Sequence, residues 1–309
     1  MSPRLPLIFI FDMDATLIGD RVPYSKAQGL RRHLQQSCLT GKVTLDIPLC
    51  KKPLDKRFYD AEEIDDRFFR PFLKEALTSI KTMTQGDAEF FIFTAGAYVY
   101  GIEMVNIIEK KIGITFNRPM LSYDNLSLNA VNNQYEKSIL LNFDTYIKSL
   151  IGRYPALKNP ANVEIVKQGR IIFLDDSNWT EEASRSKFIH NISYDFCPIF
   201  DPLADIPVAI RAQPIVKEML ASSLSQLSGK YFIEPEEPMP IEQRNMLYHV
   251  FMADLYRMAI DKQAKAEKDM FFFHFIKAIK PYINNKLPFS DKTVPKICAY
   301  LKKKEVLAS

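Results

Sequence analysis

The chain has 309 residues, 47% of them hydrophobic and 25% charged, with a formal net charge of +4. That is the composition of an ordinary soluble globular protein of one large or two ordinary domains, and the charge is too modest to argue for a nucleic-acid partner. No apolar run reaches the ~20 residues of a membrane span, and the first apolar run is interrupted by acids too early for a signal peptide. Four cysteines, Cys38, Cys50, Cys197 and Cys298, lie far apart without a C-x-x-C pair. That spacing favours reduced thiols in an intracellular compartment, cytoplasm or nucleus, over a disulfide or zinc framework.

Residues 7–11, Leu-Ile-Phe-Ile-Phe, read as a buried strand of a parallel sheet, and they run straight into Asp12-Met13-Asp14-Ala15-Thr16. A buried, unpaired carboxylate is very costly, so two acids at a strand end call for a reason. Ligands of open α/β sheets bind just beyond the carboxyl ends of the strands. Side chains two apart on an extended segment face the same side, so Asp12 and Asp14 share one volume and repel unless a cation or a proton lies between them. The expected site holds a hard cation, Mg²⁺, beside an aspartate able to act as nucleophile or base. The plainer alternative is a turn in which an aspartate caps the next helix.

Residues 19–66 form an insertion after this strand, with a short basic helix over 28–38, a strand over 43–47 and a charged loop from Lys51 to Asp66. Arg70-Pro71-Phe72-Leu73 opens a helix whose apolar positions keep helical spacing to Met83. Residues 89–93 are a second buried strand, ending in Thr94-Ala95-Gly96. A hydroxyl and backbone amides at a strand end before a helix suit phosphate, and the helix runs from Tyr98 to Lys111, stopping at Gly113. Residues 114–134 are irregular, and a helix is expected from Tyr135 to Gly152. Residues 169–174 make a third strand, ending in Asp175-Asp176-Ser177, and 188–194 a last one with His190 as a packed histidine. Beyond these come an amphipathic helix over 212–227, a proline-rich linker over 228–243 and lysine-rich helices over 244–309, with Phe271-Phe272-Phe273 on a helical stripe. The expected organisation is a domain over 1–227, a linker and a C-terminal helical extension. The fold class is α/β: a doubly wound parallel sheet.

The segment Phe11-Asp12-Met13-Asp14-Ala15-Thr16-Leu17 resembles the first motif of the haloacid dehalogenase (HAD) superfamily of aspartate-nucleophile phosphatases. Arg70-Pro71, Phe93-Thr94-Ala95-Gly96 with Tyr100, Tyr135-Glu136-Lys137 and Asp175-Asp176-Ser177 are similar to the branch that dephosphorylates the C-terminal domain of RNA polymerase II. The resemblance spans about residues 5–210 in family order. It departs at Ala15, where the family has Glu, and in a longer Lys137–Asp175 separation.

What the resemblance implies is a Mg²⁺-dependent phosphatase acting through an aspartyl-phosphate on phosphoserine or phosphothreonine of a protein. Asp12 and Asp14 would be catalytic, with Thr94, Ala95 and Lys137 binding phosphate. Asp12, the main chain of Asp14, and Asp175 or Asp176 would hold the metal. Lys158 is the rival of Lys137. The alternatives are a phosphatase of a small metabolite or nucleic-acid end, and a non-catalytic interaction protein. A phosphoprotein is the expected partner, without a membrane; the sequence leaves the oligomeric state open.

Overall fold

The structure, a computed structural model, describes residues 3–19, 32, 35–41, 46, 48–51, 64–178, 180–196, 206–211, 213, 214, 216, 250, 253, 256, 257 and 259–307. They belong to two compact units, one of Met1–Gly19, Asp65–Phe196 and Ala266–Ser309, the other of Asp20–Ile64 and Cys197–Lys265.

The first unit carries, in chain order, β1 (Leu7–Phe11), α1 (Leu73–Met83), β2 (Ala88–Ile92), α2 (Tyr98–Ile112), β3 (Ser127–Asn129), β4 (Gln134–Glu136), α3 (Phe143–Leu150), α4 (Pro160–Gly169), β5 (Ile171–Asp175), β6 (Phe188–His190), α5 (Phe271–Asn284) and α6 (Val294–Lys303). The main sheet has the order β2-β1-β5-β6. Every pairing is parallel, with Leu7 opposite Ala88, Ile8 opposite Ile171 and Phe173 opposite Phe188. A parallel sheet needs cover on both faces, which is why β1, β2 and β5 are apolar and buried almost throughout. The strand period of two sorts β1 into two cores. Ile8 and Ile10 join Phe91, Phe173, Phe143, Tyr146 and Ile147 on one face. On the other, the Phe9 ring meets Phe275 at 6.4 Å and the Phe11 ring meets Phe272 at 6.5 Å.

That second contact corrects the domain boundary read from the sequence. Phe271, Phe272 and Phe275 are fully buried, so α5 is a covering layer of the sheet and 266–309 belongs with the strand-bearing unit rather than to an appended extension. The C-terminus continues around the sheet edge, where Leu307 bridges Asn191. A phenylalanine stripe read along one helix cannot say which sheet it covers, which is why the sequence left α5 outside. The 228–243 linker and most of the expected 43–47 strand and of the 28–38 and 212–227 helices lie outside the described residues; Pro48–Lys51 is helical.

The expected helix from Tyr135 is a strand instead. Residues 127–136 form an antiparallel hairpin, and α3 starts only at Phe143. Asparagine side chains build its turn: Asn129 accepts from the Val131 amide at 2.9 Å and Asn132 from the Gln134 amide at 3.0 Å, while Asn133 takes a left-handed φ of 55°. Further along, α2 ends as expected at Gly113, φ 72°. Gly19 marks a close approach, since a Cβ there would lie 2.0 Å from the Phe196 carbonyl oxygen.

In the second unit Cys38 and Cys50 form a disulfide, their Cα atoms 5.3 Å apart. The reduced-thiol reading is corrected for this pair, and the intracellular reading loses that support. Spacing alone could not show that the insertion brings the two together. Cys298 is free and half-buried, its thiol pushed up to about 11 by burial. Among the described residues no helix is long and apolar enough to cross a membrane.

Candidate active site

Three neighbouring strands end in polar groups on the same edge of the sheet. Asp12 follows β1, its amide donating to the Leu174 carbonyl at 2.8 Å. Asp175 and Asp176 close β5. Thr94 stands two residues beyond β2, just past a Phe93 amide bond of 2.9 Å to the Phe11 carbonyl. Asp12 is 5% exposed, Asp175 0% and Thr94 1%.

Into this edge comes Lys137, delivered by β4. Its ammonium donates to Asp12 Oδ1 at 2.5 Å and to Asp175 Oδ2 at 2.7 Å, and the side chain is 1% exposed. The Phe93 and Phe173 rings flank it at 6.0 and 5.9 Å, and its backbone bridges Thr180. Lys137 thus reaches the strand ends from a hairpin, not from the helix N-terminus that the sequence suggested. Lys158 is exposed on a short helical turn, Pro155–Lys158, and takes no part.

The acids are held individually. Asp14, half-buried, accepts from Tyr100 Oη at 2.5 Å. Asp175 Oδ1 accepts from the Ser177 amide at 2.8 Å and its hydroxyl at 2.7 Å, so both Asp175 oxygens are engaged. Thr16 Oγ1 donates to Asp176 Oδ1 at 3.3 Å and accepts from the Asp176 amide at 3.1 Å. His190 packs on Phe188 and its Nε2 meets the Asp176 carbonyl oxygen at 2.9 Å, the packed role expected of it. Thr94 Oγ1 accepts from the Gly96 amide at 3.0 Å, which fixes the turn that carries Ala95.

Burial pushes the Asp12 carboxyl well above the usual range; Lys137 pulls it back, while Asp175 and Asp14 push it further up. Burial and Asp175 likewise raise Asp176. Burial would lower the Lys137 ammonium, but Asp12 and Asp175 outweigh it and hold the charge above its ordinary value. Among the described residues, the Lys137 ammonium therefore bonds two desolvated acids, Asp12 and Asp175. Asp12, Asp175 and Asp176 each offer a carboxylate oxygen, all within 4.8 Å of one another. Clustered hard oxygen donors are the set that a cation such as Mg²⁺ takes; the Asp14 side chain lies outside that group.

The sequence reading missed Thr16, Tyr100 as a partner of Asp14, Ser177, and Arg70 as a buried group. Tyr100 carried a signal, a tyrosine four residues beyond a strand-end glycine. Nothing in sequence joins Arg70 to Asp269, 199 positions away.

A scan against protein-family models finds no match, and no curated protein matches in sequence. Among solved structures, the chain is similar to a point variant of the fission yeast RNA polymerase II CTD phosphatase Fcp1 bound to beryllium fluoride, with a TM-score of 0.35 and 17% identity over 94% of this chain and 70% of that one.

Proposed function

We propose that the chain is a Mg²⁺-dependent phosphatase working through an aspartyl-phosphate. The observation that carries this is the buried Lys137 ammonium between Asp12 and Asp175 at the strand ends, with Asp176 beside them. A lysine enclosed by acids at a sheet's ligand-binding edge is poorly explained as packing, since a hydrophobic trio would fill the same volume without desolvating charges.

Asp12 attacks phosphorus as the ester P–O bond breaks, and Asp14 gives the leaving oxygen its proton. Water then attacks the aspartyl-phosphate, losing its proton to Asp14, and inorganic phosphate departs as the Asp12 carboxylate re-forms. Tyr100 holds Asp14 by one oxygen, aiming the acid at the leaving group. Lys137 and the Thr94–Ala95 turn hold the phosphoryl oxygens. Asp12, the Asp14 main chain and Asp176 would hold Mg²⁺, with Asp175 engaged chiefly in holding Lys137. The cation supplies charge neutralisation for a carboxylate approaching a phosphate dianion. The matching Arg-Pro, Thr-Ala-Gly and Asp-Asp-Ser segments favour phosphoserine or phosphothreonine in a protein as substrate.

The test is hydrolysis of p-nitrophenyl phosphate with MgCl₂, then a panel of phosphopeptide, sugar phosphate and 3′-phosphorylated oligonucleotide. Turnover that stops with chelator and favours the phosphopeptide supports the reading; turnover indifferent to chelator refutes the metal site.

A further inference from the structure

Arg70 is among the largest fully buried side chains of the strand-bearing unit, and the chemistry above does not use it. Its guanidinium donates from Nε to both Asp269 oxygens at 3.1 Å, from Nη2 to Asp269 Oδ2 at 2.8 Å and to the Ile192 carbonyl at 2.7 Å, and from Nη1 to the Thr16 carbonyl at 3.3 Å. The Phe271 ring lies 4.6 Å from its carbon and the Tyr194 ring 5.7 Å. The Arg70 amide also donates to the Leu17 carbonyl at 2.9 Å. One planar, permanently charged group thus joins three segments distant in sequence: the Asp12–Thr16 loop, the turn after β6 and the entry to α5.

The loop it grips is strained. Ala15 has φ 58°, a left-handed conformation unfavourable for any side chain with a Cβ, and such a residue persists only where its surroundings hold it. Two bonds do so on either side: the Tyr194 amide to the Ala15 carbonyl at 2.6 Å, and Arg70 to Thr16. The Thr16 hydroxyl in turn bonds Asp176. Asp269 is the carboxylate that balances Arg70, and it also accepts from the Phe271 amide at 3.0 Å at the head of α5. Without Asp269 the guanidinium would be a buried, uncompensated charge, free to turn away from Thr16.

We infer that Asp269, acting through Arg70, is a positioning residue for the Asp12–Thr16 loop, so that the segment from Ala266 onward is a working part of the site. This rests on the phosphatase reading. It makes the C-terminal segment an enforcer of catalytic geometry as well as a cover of the sheet, because a carboxylate nucleophile displaced by about 1 Å loses on the order of a hundredfold in rate.

The experiment uses the full chain, wild type and Asp269→Asn, with p-nitrophenyl phosphate over a MgCl₂ series and with calorimetric Mg²⁺ binding. Arg153→Met serves as a control that lowers Tm away from the site, because Arg153 donates to both oxygens of the buried Glu89 at the start of β2, the opposite end of the sheet. The expected result for Asp269→Asn is a ~10- to 100-fold loss in kcat, a several-fold weaker Mg²⁺ affinity, and a KM within about twofold of wild type. Arg153→Met should lose Tm and keep both kcat and Mg²⁺ affinity. If Asp269→Asn does not fold, Asp269→Glu carries the test: it keeps the charge, moves the carboxylate by one methylene and should lose kcat several-fold at nearly unchanged Tm. Equal kcat and equal Mg²⁺ affinity in the folded variant overturn the inference, as does a loss no larger than that of Arg153→Met. A wild-type chain without Mg²⁺-dependent turnover sinks the phosphatase reading instead. The positioning role is then decided by calorimetry: weakened Mg²⁺ binding in the variant supports it and wild-type binding rejects it.

Discussion

Carboxylates are buried at both ends of the sheet, and they are treated in opposite ways. At the start of β2, Glu89 is 1% exposed. Arg153 Nη1 donates to both of its oxygens at 2.7 Å, Tyr154 Oη to one and Asn117 Nδ2 to the other, each also at 2.7 Å. One acid there has a surplus of donors. At the far end Asp12, Asp175 and Asp176 lie within 4.8 Å of one another, the buried Lys137 ammonium bonds two of them, and burial holds Asp12 well above the usual carboxylate range. The first arrangement closes off a charge; the second brings three acids together beside one buried lysine at the strand ends where α/β sheets bind ligands. A sheet that surrounds one acid with donors at one end and crowds three acids beside one lysine at the other marks the second end as the candidate functional one.

Breaking the two ends should therefore give different losses. The largest is Asp12→Asn, which removes the proposed nucleophile at constant volume: turnover of p-nitrophenyl phosphate should fall by on the order of 10⁴-fold or more, while circular dichroism stays native. Lys137→Ala should cost ~100-fold in kcat, the scale of one lost electrostatic donor, and Lys158→Ala less than about twofold; a reversal of the two would remove Lys137 from the site. Glu89→Gln should leave kcat unchanged and lower stability by ~1–3 kcal/mol, measured by urea unfolding. A kcat loss there would break the division between the ends.

The smallest effect is on stability and has the opposite sign. With its folded pKa raised, Asp12 keeps a proton that the unfolded chain releases, so stability falls as pH rises from the ordinary carboxylate value through the raised one. Asp12→Asn removes that cost. Without divalent cation its Tm should match wild type near pH 4 and rise above it as pH is raised toward 8. Added MgCl₂ should raise wild type more than the variant. A variant less stable than wild type at pH 8 would mean that Asp12 is compensated like Glu89.

The sequence revealed the acid-rich end more readily than the basis for either arrangement. Apolar runs ending in Asp12, Thr94 and Asp175-Asp176 marked that end, because buried strands followed by acids or a hydroxyl recur there, although a helix-capping turn is the alternative reading of Asp12 and of Thr94 taken singly. The strand order, the hairpin behind Lys137 and the covering role of α5 did not, since each depends on pairings between residues far apart in the chain. Tyr135 and Glu136 read as helix because the periodicity after them is helical, and the asparagine turn that makes them a strand is local side-chain chemistry without periodicity. Arg70 looked like the polar start of a helix. Its burial follows from Asp269 and Phe271, which no local pattern connects to it.

The central claim is that Asp12 becomes phosphorylated during turnover. It is tested most directly by quenching the chain in acid during hydrolysis of a ³²P-labelled phosphopeptide, using Asp14→Asn to slow the second step, and locating the label by peptide mapping with and without hydroxylamine. The account predicts a hydroxylamine-sensitive label on the peptide containing Asp12, absent in Asp12→Asn and absent without Mg²⁺. Turnover with no protein-bound phosphate, or with label on any other residue, would contradict it.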